Sequence, residues 1–583
     1  MSYQLTPVAW AIGLACIAGS FSKPVQAQQP QATSSDMEVI QVRGIRSSVA
    51  RSMNTKRYAN AVVDAVTAED IGKFPDQNVA ESLQRITGVS ITRSYGEGER
   101  VSIRGTPESQ NRTLLNGQAV GSADWWTNSA PSRGFNYTML PSEIVSGLEV
   151  YKSPEADLDE GPIGGDYTGL AGDLGWRLSQ FSAPFPEHYL RHIGSSDTLK
   201  RYAYADTQAL ARQYRSIDFH QYEERPSRFE INERLLAGYT QLQVGADTWQ
   251  GNLGVRLVAT EQQAEAYAGP VHSGRTHSGR TQSGRTQSGR TQSGRTHSGR
   301  THSGRTHSVA NASTVQLGQW QQSRRRYWDF LPSLNLSSHL NDNLLLRLGA
   351  ARVMSRPQYH HLMPSTNYNV TQAQGQGGNP QLDPYRANQF DAALEWYFND
   401  IGLLSGTVFM KDIASFIEFE RRQEEHEGIL MTIDRPTNGA GGTITGAELA
   451  LQHEFWYGFG VLANYTYVQG SREAHSAGTL NAIPGTSKHS VNFSVYYQQP
   501  LFDVRLAYNY RTRYATGVGE TFMDNYGQLD ASVRVNLTEQ LQLNLDVINL
   551  NNEITYLYER SHLAPTGIYE NGRRFYTGLR YTF

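Results

Sequence analysis

From about residue 229 to the carboxy terminus, apolar and polar side chains alternate one by one in segment after segment. Ala392, Leu394, Trp396 and Phe398 alternate with Asp391, Ala393, Glu395 and Tyr397. Phe502, Val504, Leu506, Tyr508 and Tyr510 alternate with Asp503, Arg505, Ala507 and Asn509. The same holds for Leu529, Ala531, Val533, Val535 and Leu537, for Leu541, Leu543, Leu545 and Val547, and for Phe575, Thr577, Leu579, Tyr581 and Phe583. A repeat of two places successive side chains on opposite faces of a β-strand. Here the charged residues keep to one face and the other is almost wholly apolar, the pattern of a strand between lipid and an aqueous lumen. We count about 13 such segments and expect an antiparallel transmembrane β-barrel over residues 227–583. Connections near 341–343, 399–402, 499–503 and 537–541 are short; those near 261–327, 353–388, 414–443, 471–488 and 514–526 are long. Short turns belong on the periplasmic side and long loops outside, so the last strand runs inward and ends on Phe583.

The pattern changes before residue 229. Residues 59–165 read as a compact α+β domain, with a helix expected over 76–86 and short strands over 89–92, 100–104 and 148–151, separated by Gly and Pro turns. Residues 166–226 are polar, carry no sustained period and read as a loop. Residues 28–58 read as a disordered tether. The apolar stretch 8–17, followed by Val25-Gln26-Ala27, reads as a signal peptide occupying residues 1–27.

Composition narrows the choice. The 583 residues contain no run of about 18 apolar residues that would make a transmembrane helix. Mean hydropathy is −0.53, a value that a barrel of half-polar strands accommodates. The chain has 32 Tyr, 20 Phe and 9 Trp, enough for aromatic girdles at two membrane interfaces. A net charge of −3 gives no sign of nucleic-acid binding. The single cysteine, Cys16, lies in the leader, which leaves the mature chain without disulfides or thiolate chemistry. We find no nucleophile elbow, phosphate loop or metal-spaced His/Glu set, and expect neither an enzyme nor a cofactor or metal. Ser-Gly-Arg-Thr-His/Gln recurs seven times over 273–307, a basic low-complexity insertion that reads as repeat expansion in a tolerant loop.

Several motifs carry a resemblance. Glu38, Val39, Ile40, Gln41 and Val42 resemble a TonB box. The run FPDQNVAESLQRITGV from Phe74, Arg104-Gly105 at the end of RVSIRG, Arg112 with Asn116-Gly117 in RTLLNG, and Gly164-Gly165 in GPIGG resemble the plug motifs of TonB-dependent outer-membrane receptors. The wording is nearest to the subgroup described in xanthomonads and caulobacters. The resemblance implies a plug followed by a 22-stranded barrel in the outer membrane of a Gram-negative bacterium. It also implies partners: TonB with its inner-membrane energising complex, the outer-membrane assembly machinery through Phe583, the lipid bilayer, and an extracellular ligand taken up with energy coupling. The box would pair with TonB as an added strand.

Asp124, Trp125, Trp126, Asn128, Arg133, Phe135 and Tyr137 fall where plug apical loops lie in that family. Tryptophan faces beside Asp and Asn suit a sugar, so an oligosaccharide is the first expectation and a ferric siderophore the second. The chain departs from the family in its strand count, 13–14 against 22, as though the early barrel were deleted after Gly165. A passive pore or a non-functional remnant is the alternative to a transporter.

Overall fold

The computed structural model describes residues 45–67, 76, 78–116, 118–119, 132–142, 145, 147–158, 182–184, 203–205, 229–268, 319–369, 372–426, 428–472, 482–516, 521–538 and 540–581. The alternating segments form one antiparallel sheet of 13 strands, each paired with its neighbours in chain order, from Phe229–Ala246 at one edge to Arg574–Tyr581 at the other. Period-two patterning fixes the register, because a slip of one residue would turn every apolar side chain to the wrong face.

The two faces are inverted relative to a soluble protein. Trp328, Phe330, Leu334, Phe390, Trp396, Val408, Leu449 and Phe493 are exposed on one face. On the other, Asn335, Arg347, Asp391, Glu395, Glu448, Arg505, Asn509 and Arg534 are buried. An exposed apolar band requires lipid to cover it. Tight turns close the short-connection side: Asn341 to Leu344, Asn399 to Gly402 and Gln498 to Phe502.

On the long-connection side, structure extends beyond the sequence expectation. Trp249–Ala268 and Gln319–Asn341 are 20 and 23 residues long, longer than the roughly ten that cross a membrane. The long connections also build sheets of their own. One joins Thr366–Asn369, Gln374–Gly377, Ile429–Asn438 and Ile417–His426; another joins Tyr514–Ala515, Thr521–Met523, Thr555–Glu559 and Pro565–Tyr569.

The amino-terminal domain lies against the polar face of the sheet. Its core gathers Val66, Val79, Ala80, Leu83, Ile86, Val89, Ile91, Val101, Tyr137 and Val150. The helix expected over 76–86 is shorter, Val79–Leu83. Asn78 starts it two residues late: its Oδ1 accepts from the backbone N–H of Ala80 (3.0 Å) and Glu81 (3.3 Å). Asp76 instead accepts from Ser82 Oγ at 2.6 Å and pairs with Arg85.

Residues 45–58 correct the reading of 28–58 as a tether, because they form the helix Ile45–Tyr58. Val49 packs with Ile401 and Tyr496, and Met53 with Leu345, Tyr397 and Leu403. Within the unassigned stretch 166–226, Ser182–Pro184 and Ala203–Ala205 pair antiparallel. The signal peptide and the repeat lie outside the described residues.

Candidate functional site

The domain is fastened to the sheet by a chain of buried charges. Arg104 has a positive φ of 53°, the conformation next to Gly105 (φ 73°) that turns its side chain onto the sheet. Its Nη2 donates to Glu448 at 3.0 Å, its Nη1 pairs with Asp391, and its guanidinium lies over the Phe409 ring at 4.6 Å. Lys152 bridges Glu448 (3.3 Å) to Asp64 (2.5 Å), and Lys56 joins Asp64 (2.6 Å) to Glu395 (3.9 Å). Arg347 closes the series on Glu395 at 3.1 Å. Four cations and four carboxylates thus alternate across the interface. Burial pushes the Asp64 carboxyl upward, yet Lys152 and Lys56 outweigh it and hold the carboxyl well below its ordinary range. For Lys56 burial pushes downward, and Asp64 with Glu395 reverses it, so the ammonium is held above its usual value. Both groups stay charged at neutral pH.

Arg347 does a second job. It donates to the carbonyls of Lys56 (2.7 Å), Arg57 (2.8 Å) and Ala59, capping the carboxy-terminal end of Ile45–Tyr58 from the sheet. Beside that helix lies a cavity of about 140 Å³ lined by Val49, Met53, Asp64, Leu403, Phe493 and Asn509, on the short-turn side.

A second cleft, about 150 Å³, opens on the long-connection side, between Thr92, Glu108 and Ser132 of the domain and Gln358, Tyr514 and Thr516 of the long connections. Arg511 underpins it, donating to the carbonyls of Ile91 (2.8 Å) and Gly485 (2.9 Å) and to Ser487 Oγ (2.8 Å).

The residues expected at a ligand site fall into two groups. Asp124, Trp125, Trp126 and Asn128 lie outside the described residues, as do the box residues Glu38 to Val42 and Gly117, Gly164 and Gly165. The other three are placed for structure. Arg133 is buried, bound to Glu233 by two hydrogen bonds of 2.8 and 2.5 Å and stacked at 4.1 Å over Tyr359. Tyr137 sits in the domain core with its hydroxyl 2.7 Å from Thr113 Oγ1, and burial pushes that hydroxyl up to about 12. Phe135 packs on it edge to face.

Among the motif residues, Gly105 has no room for a side chain: a Cβ there would stand 2.8 Å from Val468 Cγ1. Asn116, at φ 52°, opens the turn between Leu114–Leu115 and Gln118–Ala119. Arg112 is half-buried. Sequence reasoning missed Asp391, Glu448, Glu395, Arg347 and Glu233. The signal available was a buried-face charge within an alternating strand.

One long-connection group titrates in an informative range. Burial, and then the neighbouring His360, push His361 down to about 3. Its ring packs on Phe419, 5.3 Å between centroids. The unfolded side chain binds a proton near pH 6.5 while the folded one does not, so stability falls as pH drops from about 6.5 towards 3. We expect amide protection of residues 359–362 to weaken between pH 7 and 5, and His361→Phe to flatten that dependence, measured by hydrogen exchange.

A large antiparallel sheet with an apolar outward face and a folded amino-terminal domain against its polar face defines a protein of the outer-membrane β-barrel class. The family described as "TonB dependent receptor-like, beta-barrel" matches residues 51–550, and the chain belongs to it. It is a protein of the Gram-negative outer membrane. The ferric enterobactin receptor of Pseudomonas aeruginosa is 29% identical over 131 residues, 21% of this chain and 17% of that one. The probable TonB-dependent siderophore receptor PirA of Acinetobacter baumannii is 27% identical over 104 residues, 16% and 14% of the two chains. The matched stretches therefore span only about a sixth of those relatives' length. The crystal structure of Acinetobacter baumannii PirA aligns with a TM-score of 0.54 at 15% identity, over 91% of this chain and 99% of that one. The Pseudomonas aeruginosa ferric enterobactin receptor aligns at 0.51 with 14% identity, over 92% and 99%. These solved structures share the fold.

Proposed function

We propose that this chain is an energy-coupled outer-membrane receptor of TonB-dependent type, that its amino-terminal domain is the plug, and that its ligand is a ferric siderophore. The observation that carries the reading is the plug–wall charge chain together with the placement of its two ends. The helix after the candidate box lies on the short-turn, periplasmic side, and the cleft around Glu108 and Tyr514 opens on the opposite side. A ligand at the cleft and a pull at residues 38–42 then act on one domain from opposite ends. Both curated relatives carry siderophore names, which moves the ligand reading away from oligosaccharide. The apical Trp125 and Trp126 remain the feature a sugar would use. The nearest subgroup, by motif wording, is the xanthomonad and caulobacter one. The sheet is the later part of a barrel whose early strands are deleted, which impairs transport unless the barrel is completed.

The test is capture by the periplasmic domain of TonB. We expect the parent to bind and Val39→Pro, which removes a strand donor, to lose binding at least tenfold by surface plasmon resonance. No capture of the parent sinks the reading. Iron-limited growth on catecholate siderophores, set against growth on plant oligosaccharides as sole carbon source, separates the two ligand classes.

A further inference from the structure

Arg356 is a buried cation that forms no ion pair among the described residues. It is 3% exposed, its Nη2 donates to the Thr260 hydroxyl at 3.3 Å, and its Nε has no partner. Burying a guanidinium without a carboxylate is unfavourable, so the position calls for an anion that reaches it in another state of the protein. Glu233 is placed to be that anion. It stands opposite Gln262 in the register, and Thr260, which holds Arg356, is two positions along the same strand on the same face. Arg133, Glu233 and Arg356 all act electrostatically on the hydroxyls of Tyr359 and Tyr327, which gathers the three charges around one spot. The Tyr359 hydroxyl is buried there without a hydrogen-bond partner. Asp329, also buried on this wall, is already taken by Arg386 at 2.6 Å.

In the seated arrangement Glu233 belongs to Arg133, which grips it with two hydrogen bonds. Arg133 also holds the segment that carries Arg356. Its Nε donates to the Pro357 carbonyl, and its backbone N–H donates to Gln358 Oε1 at 2.9 Å. One residue of the amino-terminal domain therefore occupies Glu233 and pins the two residues that follow Arg356. When Arg133 leaves, the carboxylate and the segment are freed together. Ser132 and Gln358 also line the outer cleft, so a molecule seated there touches both sides of this contact.

We propose that Glu233 is passed from Arg133 to Arg356 when the cleft-side loop of the amino-terminal domain leaves the wall, so that Arg356 keeps the carboxylate paired in the released state. A guanidinium suits this role, because its planar fork can take both carboxylate oxygens, and the free Tyr359 hydroxyl supplies a further donor. Without Arg356, release would strand a buried carboxylate and be strongly opposed. With it, release exchanges one ion pair for another and is readily reversed. The proposal rests on the receptor reading above, which supplies the ligand and the pull that move the loop.

A double-mutant cycle on the full chain tests this, read by hydrogen exchange at residues 133–140 and 229–235, with a heat-shifted band to confirm that each variant folds. Arg356→Gln is expected to change either segment less than about twofold, because Arg356 makes no ion pair while the domain is seated. Arg133→Ala should speed exchange at 133–140 about tenfold but at 229–235 less than about threefold, because Arg356 takes over Glu233. The double variant should speed exchange at 229–235 by about tenfold beyond the product of the single effects. Adding Glu233→Gln to it should return 229–235 to within about threefold of Arg133→Ala alone, a rescue that a packing role for Arg356 would not give. Single effects that multiply without excess, an Arg356→Gln effect as large as that of Arg133→Ala, or no rescue by Glu233→Gln each overturn the proposal. If the double variant does not fold, the triple variant decides: a folded triple supports the exchange and an unfolded one overturns it. TonB-domain capture by the parent separates the failures. Retained capture with a multiplicative cycle refutes the exchange alone, and no capture with the excess present refutes the receptor reading alone.

Discussion

Replacing Arg104 with Ala is expected to loosen the amino-terminal domain from the sheet by about 3–5 kcal/mol, the cost of leaving buried carboxylates unpaired. Arg104 has no exposed side-chain surface, and Asp391 and Glu448 beside it are nearly as buried. Lys152 remains near Glu448, but Asp391 keeps only a hydrogen bond from Gln389 Nε2 at 2.9 Å and the more distant attraction of Lys411 among the described residues. Arg104→Lys should recover only part of the loss, because an ammonium cannot serve two carboxylates in a planar fork. Limited proteolysis of the amino-terminal domain in detergent, followed over a urea series, reads the difference. A midpoint unchanged in Arg104→Ala would show that the charge chain does not hold the amino-terminal domain. The double replacement Asp391→Asn with Glu448→Gln in the Arg104→Ala background should restore part of the stability, since it removes the orphaned charges.

Replacing Arg347 with Ala is expected to release the helix Ile45–Tyr58 while leaving the rest of the amino-terminal domain seated. Three carbonyls lose their cap and Glu395 loses its closest cation, a combined effect of about 3 kcal/mol local to the helix. Glu395 retains Tyr397 Oη at 2.7 Å and the more distant Lys56, which is why the loss stays local. Protease cutting within residues 45–58 should rise at least tenfold, with residues 79–103 still protected. Equal exposure of both segments would mean that the helix and the rest of the domain come away together.

The thirteen strands were legible because lipid imposes a pattern on each strand separately. Leu529 to Leu537 announces its faces without help from any other part of the chain. The partners of Arg104 were not legible, because Asp391 and Glu448 lie hundreds of positions away and look like any other lumen-facing charge. Arg133 is read from sequence as an apical ligand residue, and its partner Glu233, 100 positions away, leaves no local mark either. The helix Ile45–Tyr58 did leave a trace. Ile45, Val49 and Met53 recur every fourth residue. Three apolar positions in a polar stretch are a weak signal, and packing on Ile401, Tyr496 and Leu345 supplies what propensity lacks. The external sheets, such as Ile417–His426 with Ile429–Asn438, were hidden because neither lipid nor a deep core patterns them.

The pairing of Val63–Thr67 with Gly147–Tyr151 has a mechanical consequence. Val63, where a pull arriving from the amino terminus enters the domain, lies opposite Tyr151. The residue after Tyr151 is Lys152, one of the anchors to the wall. The pulled end and the held end are therefore the same end of the ribbon. Tension applied there peels the two strands apart pair by pair, as a zipper opens, instead of shearing all five pairs at once. A ribbon mounted this way yields at low force and in steps, starting from the Val63–Tyr151 pair.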